Sequence, residues 1–278
     1  HELLPRLEEL VIEQLEELDL VNQASCLISL ALGLGFFAGD SRRAEDFARR
    51  GLMLAHKSGL LDLELEGRIV CGYLALLQGS GVVARSEIEN GWQLVTAGAQ
   101  DSVYLHILAV DLLLHSGDLD SYREQRRQLT ERFGRQFLQQ GTLSGTLCLF
   151  DTEAHLLEGD TLSATEMLRI GSAEGAAAGN PHLQSWLLQY RALLHARAGR
   201  KEEARGEQEE SHQLRDQAGC GFHLLANLLI RAETLLELDA ADEAYGLLQR
   251  ALALSEQCGE LMVRPGIHAA LARLHQRQ

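Results

Sequence analysis

Counted back from the turn signals of a helical sequence, the positions thirteen, ten, six and three residues ahead of each turn hold Ser29 and Phe36; Glu66, Ile69 and Tyr73; Tyr104 and Asp111; Glu153; Trp186 and Gln189; and Glu233. Asp111, Glu153 and Glu233 share one register. On helices stacked about 10 Å apart they would form a line of carboxylates, suited to a ligand with spaced positive charge. Tyr73, Tyr104 and Trp186 are among the few aromatics, and such side chains offer apolar area with a hydrogen-bonding tip. A plainer reading stands beside this one: the acids are a solvated face of an acidic protein, and the aromatics are core.

Other chemistries find less support. His155 and His195 share a register four residues before their turns, but the equivalent Leu113 and Leu235 supply no third ligand, so packing is expected rather than a metal. Cys26, Cys71, Cys148, Cys220 and Cys258 form no C-x-x-C pair. Five unclustered thiols fit small buried residues in a reducing cytoplasm. A formal charge of -15 would repel a phosphate backbone, so direct nucleic-acid binding is not expected. The apolar run from Cys26 to Ala38 is interrupted by glycines and a serine and is too short for a bilayer core of about 30 Å, which argues against a membrane span. With no nucleophile elbow, H-E-x-x-H or phosphate loop, neither an enzyme nor a cofactor is expected.

The elements that would position these residues are helices. The chain has 278 residues, 46% apolar and 5% aromatic, with Pro5, Pro181 and Pro265 as its only prolines, and no stretch alternates as a strand does. Turn signals at Gly39-Asp40, Gly79-Ser80-Gly81, Gly117-Asp118, Gly159-Asp160, Gly199-Arg200 and Leu238-Asp239 recur every ~40 residues. Five residues after each turn's glycine or aspartate come Ala44, Ala84, Tyr122, Ala164, Ala204 and Ala244, small in every case but one. Gly51, Gly91, Gly171, Ser211 and Ala251 follow seven further on, where two helices must approach closely. A second glycine, at Gly59, Gly98, Gly179, Gly219 and Gly259, marks a left-handed helix end. Each unit is thus a helical hairpin, its first helices expected near 20–38, 60–78, 101–116, 140–158, 181–198 and 221–238, and its second helices near 41–57, 81–97, 119–137, 161–178, 201–217 and 241–257. Asn180-Pro181 is a clean helix start. The third hairpin is irregular, with Arg123, Arg126, Arg127, Arg132 and Arg135 and no alanine. Residues 3–18 and 260–276 read as unpaired helices, the latter delayed by Pro265-Gly266.

The Gly-Asp-x-x-x-Ala pattern, with its small residue seven positions on, resembles the tetratricopeptide repeat; units near 40 residues ending A-x-x-x-G, as in Ala55 to Gly59, resemble the longer MalT-like form. The resemblance implies an all-α, right-handed superhelical solenoid of antiparallel helix pairs, one repeat domain over 1–278 with about six pairs and an unpaired helix at each end, and a fragment of a larger protein. In function it implies a non-catalytic arm that senses or scaffolds in a bacterial cytoplasmic signalling protein or transcription regulator. A protein, peptide or small effector would lie in the concave groove, over Glu66, Tyr73, Tyr104, Asp111, Glu153, Trp186, Gln189 and Glu233. The alternatives are a self-associating or spacer scaffold and an adaptor in an unrelated complex.

Overall fold

The computed structural model describes residues 3–134, 141–218 and 224–277. Among these residues there is no strand, and fourteen α-helices follow one another: α1 (Leu3–Gln14), α2 (Leu20–Leu32), α3 (Ser41–Ser58), α4 (Leu61–Leu77), α5 (Gly81–Ala97), α6 (Val103–Ser116), α7 (Leu119–Phe133), α8 (Gly141–Leu157), α9 (Thr161–Ala178), α10 (Pro181–Arg197), α11 (Lys201–Ala218), α12 (Leu224–Glu237), α13 (Ala241–Cys258) and α14 (Arg264–Arg277). A 3-10 turn, Leu15–Glu17, follows α1, and a π-helical turn, Gly33–Ala38, carries α2 into its bend. No helix is long and apolar enough to cross a membrane among the described residues.

The chain forms two compact units. The N-terminal unit contains α1 to α6 together with Glu256–Met262, and the C-terminal unit contains α7 to α12, α13 up to Ser255, and α14. Within the first, α2 packs on α3, α3 on α4, α4 on α5 and α5 on α6, while α4 also touches both α2 and α6. Within the second, α8 packs on α9, α9 on α10 and α10 on α11, and α8, α10, α12 and α14 touch in turn. First helices therefore meet first helices, as a stack of hairpins requires.

The Gly-Asp turn has a simple physical basis. Its glycine ends one helix with positive φ, from 69° at Gly39 to 77° at Gly159, where a Cβ would be strained. The following aspartate caps the next helix: Asp40, Asp118 and Asp160 each accept a hydrogen bond from the backbone N–H three residues on. The turn without glycine keeps the conformation, Asp239 being the one non-glycine residue with positive φ among those described, at 63°. Ala44, Ala84, Ala164, Ala204 and Ala244 are all fully buried. At Gly51 an added Cβ would stand 2.8 Å from Ile28 Cγ1 and 3.1 Å from the Ile28 backbone nitrogen, so the close approach leaves no room for a side chain.

The irregular third hairpin is explained by what replaces its alanine. Tyr122 is buried, and its hydroxyl donates to Asp151 Oδ1 on α8 at 2.7 Å, while Arg126 reaches Asp151 Oδ2 at 3.2 Å. Burial first, then the adjacent Asp151 carboxylate, pushes the phenol far above its ordinary range. Three helix limits differ from the sequence reading: the first helix ends in the 3-10 turn rather than running to 18, α7 ends at Phe133 before Gly134 with positive φ rather than running to 137, and the last begins at Arg264 rather than 260, the delay expected of Pro265-Gly266, with Pro265 in its first turn where no N–H is needed. Arg135, Gly219 and Cys220 lie outside the described residues.

Candidate binding site

In the N-terminal unit the inward register brings Tyr73 on α4 together with Tyr104 and Asp111 on α6. Burial first, then the Asp111 carboxylate and the Tyr104 phenol, hold the Tyr73 hydroxyl well above its usual pKa. Asp111 is only 6% exposed, and His115 Nδ1 lies 2.9 Å from its Oδ1, one helical turn on. Tyr104, by contrast, is 62% exposed at the start of α6. Glu66 is also exposed, two turns before Tyr73 on the same face of α4. The arrangement presents an aromatic surface backed by a carboxylate whose field is weakly screened, chemistry that favours a cation.

In the C-terminal unit the same register is occupied by the chain itself. Glu153 Oε2 accepts from the Tyr190 hydroxyl at 3.1 Å, and Glu233 Oε1 pairs with Arg273 Nη2 at 2.5 Å. Each bond runs from one first helix to the next, α8 to α10 and α12 to α14. Gln189 is 1% exposed, and its amide donates to Ser211 Oγ on α11 at 2.8 Å. Trp186 is half-buried against the cluster of Leu149, Leu183, Leu187 and Tyr190. The side chain of Phe36 lies outside those described.

Sequence reasoning missed two polar networks. Ser185 and Ser211 exchange hydroxyl-to-carbonyl hydrogen bonds at 3.0 and 2.8 Å, joining α10 to α11 below Gln189. The signal was present: Ser211 stands where Gly51, Gly91 and Gly171 occur, and a hydroxyl there needs a partner. In the other unit buried Glu64 accepts from Arg68 Nη2 at 2.8 Å and lies 2.9 Å from His56 Nδ1, while Arg68 also reaches Glu87 at 3.0 Å. Burial would raise the Glu64 pKa, but the hydrogen bonds from His56 and Arg68 outweigh it and leave the carboxyl below its ordinary value.

His155 Nδ1 lies 3.8 Å from Glu158 and His195 Nδ1 lies 4.0 Å from Glu207, both rings half-buried. Among the described residues no group of three or more His, Cys, Asp or Glu side chains is placed to hold a metal ion. Cys71 is buried, and desolvation pushes its thiol up to about 12, leaving it protonated and inert. The sequence matches no protein-family model and no curated protein.

Proposed function

We propose that the chain is a non-catalytic binding repeat domain, the sensor or scaffold arm of a bacterial cytoplasmic signalling protein or transcription regulator, and that the Tyr73, Tyr104 and Asp111 face receives its ligand. The observation that carries this reading is a contrast in exposure on one inward face: Tyr104 is 62% exposed near the half-buried Tyr73 and the buried Asp111 carboxylate. An exposed aromatic next to a desolvated acid is a poor arrangement for a surface with no task, and a good one for a Lys or Arg side chain or a small amine. Cation–π contact there contributes about 0.5–2 kcal/mol. The MalT-like resemblance of the repeat supports the placement in a regulator.

The test is fluorescence polarisation against a series of short labelled peptides that differ in the number and spacing of Lys and Arg, at physiological salt. A spaced-cation peptide binds the wild type, and Tyr104→Ala weakens it roughly tenfold, about 1.4 kcal/mol, while Tyr104→Phe retains most of the affinity. Equal binding by all three proteins rejects the site.

A second reading, self-association, is favoured by Val82 and Leu162, which stand three residues after their turns and are each 84% exposed. Light scattering of the wild type and the Val82→Ser/Leu162→Ser variant decides it: a monomer in both removes the reading.

A further inference from the structure

The segment that follows α13 belongs with the N-terminal unit, although about 180 residues of sequence separate it from the helices it touches. It docks where the start of α3 lies beside the end of α4. The backbone N–H groups of Leu261 and Met262 both donate to the Leu77 carbonyl, at 2.9 and 3.0 Å. That carbonyl is in the last turn of α4, which leaves its C=O groups without intrahelical donors. In return, Ser41 at the first position of α3 donates its hydroxyl to the carbonyl of Cys258, the last residue of α13, at 2.8 Å. Gln78 Nε2 donates to the Ser41 carbonyl at 3.2 Å and ties the two receiving ends together. Met262 packs against the apolar clusters of α2 to α6, and the Leu261 backbone passes over Gly79, where an added Cβ would stand 3.5 Å from the Leu261 carbonyl carbon.

One residue works against this seating. Glu260 lies between the two hydrogen-bonded ends and is 8% exposed. A glutamate is rarely buried without a partner, and among the described residues no cation pairs with it. The charged and titratable groups shown near it are Cys258 of its own segment, which feels both Glu260 and Asp40, and Arg42 of α3, whose side chain lies against the adjacent Gly259; the turn from α4 to α5 offers only the uncharged Gln78 and Ser80. Burial alone pushes its carboxyl up from 4.5 to about 7.

We propose that Glu256–Met262 is a releasable clasp of the N-terminal unit, and that proton binding by Glu260 holds it closed. A released carboxyl sits in water and ionises at its ordinary pKa, whereas a seated one retains its proton to a higher pH. The seated state therefore holds more protons between these two values, and its stability falls as pH rises through that interval. Below pH 4.5 the clasp has its full stability, and above about 7 the loss is complete and constant. An interval of that width corresponds to a weakening of about a hundredfold or somewhat more. Release would free the final turn of α13 and expose Met262, a device by which a shift around neutral pH changes the surface that this unit presents.

Hydrogen exchange of the Leu261 and Met262 amides in the full chain, corrected for the intrinsic pH dependence of exchange, tests the clasp, with the amides inside α4 as the reference for global unfolding. In the wild type, protection of the two amides falls by about a hundredfold between pH 4.5 and 7 and then levels, while α4 stays protected. In Glu260→Gln the protection is high and flat across that range. In Ser41→Ala it is lower at every pH but keeps the same slope, because the hydroxyl anchors the clasp without titrating. A flat profile in the wild type overturns the proposal, as does an unchanged slope in Glu260→Gln, which would assign the titration to another group.

Discussion

The inward register of the first helices is chemically alike in both units and structurally opposite. In the N-terminal unit it leaves Tyr104 and Glu66 exposed, with Tyr73 and Asp111 behind. In the C-terminal unit each corresponding group is already engaged: Glu153 by Tyr190, Glu233 by Arg273, Gln189 by Ser211, and Trp186 by a leucine cluster. A register therefore tells where a side chain starts, and the next helix decides whether it remains available. The same residue types stay exposed, as Tyr104 and Glu66 do, where no helix covers them, and contribute to stability where one does.

The largest expected effect breaks the self-satisfied side of this contrast. Trp186→Ala removes a large ring from the cluster of α8 and α10 and should cost about 2–4 kcal/mol in chemical denaturation, the half-buried position keeping it below the extreme for a fully buried ring. Next is Glu64→Gln in the N-terminal unit, which breaks a buried charge network and should cost about 2–3 kcal/mol at neutral pH. Because the Glu64 pKa is depressed, its contribution is fully present above the ordinary value of 4.5 and is lost as pH falls through the folded value. The variant should therefore lose stability less steeply on acidification than the wild type. Ser211→Ala leaves the Ser185 carbonyl and the Gln189 amide without their shared hydroxyl partner, at about 1–2 kcal/mol, while the Ser185 hydroxyl keeps the Ser211 carbonyl. In a cycle with Ser185→Ala the double variant should lose less than the sum of the singles. The smallest effect has the opposite sign: Asp239→Gly relieves a left-handed aspartate and should stabilise by about 0.5–1 kcal/mol, since the exposed Lys201 pair it loses contributes little.

Much of the fold was legible because its cause is local. Glycine at a left-handed turn and aspartate capping the next helix are written within two adjacent residues, and the buried alanines follow from the same count. Even the turn at Leu238-Asp239 could be found without its glycine, since the period points to it. The π-helical turn before Gly39 left no local mark, and the Tyr122 to Asp151 bond joins residues whose meaning depends on each other. The candidate site was legible only as a set of positions. Counting from the turns chose Tyr104 and Gln189 by one rule, although one is exposed and the other buried, because burial depends on what Ser211 and the neighbouring helices supply. The seat of Glu256–Met262 is further out of reach, a contact between distant parts of the chain with no repeated pattern.

A paired titration and melt of Tyr104→Ala and Trp186→Ala against the same spaced-cation peptide bears most directly on the division between an available and a self-satisfied register. Tyr104→Ala should bind roughly tenfold more weakly with its melting temperature unchanged, while Trp186→Ala should melt lower and, where folded, bind as the wild type does. Weakened binding by Trp186→Ala with an unchanged melt, together with normal binding by Tyr104→Ala, would contradict it and move the recognition surface to the C-terminal unit.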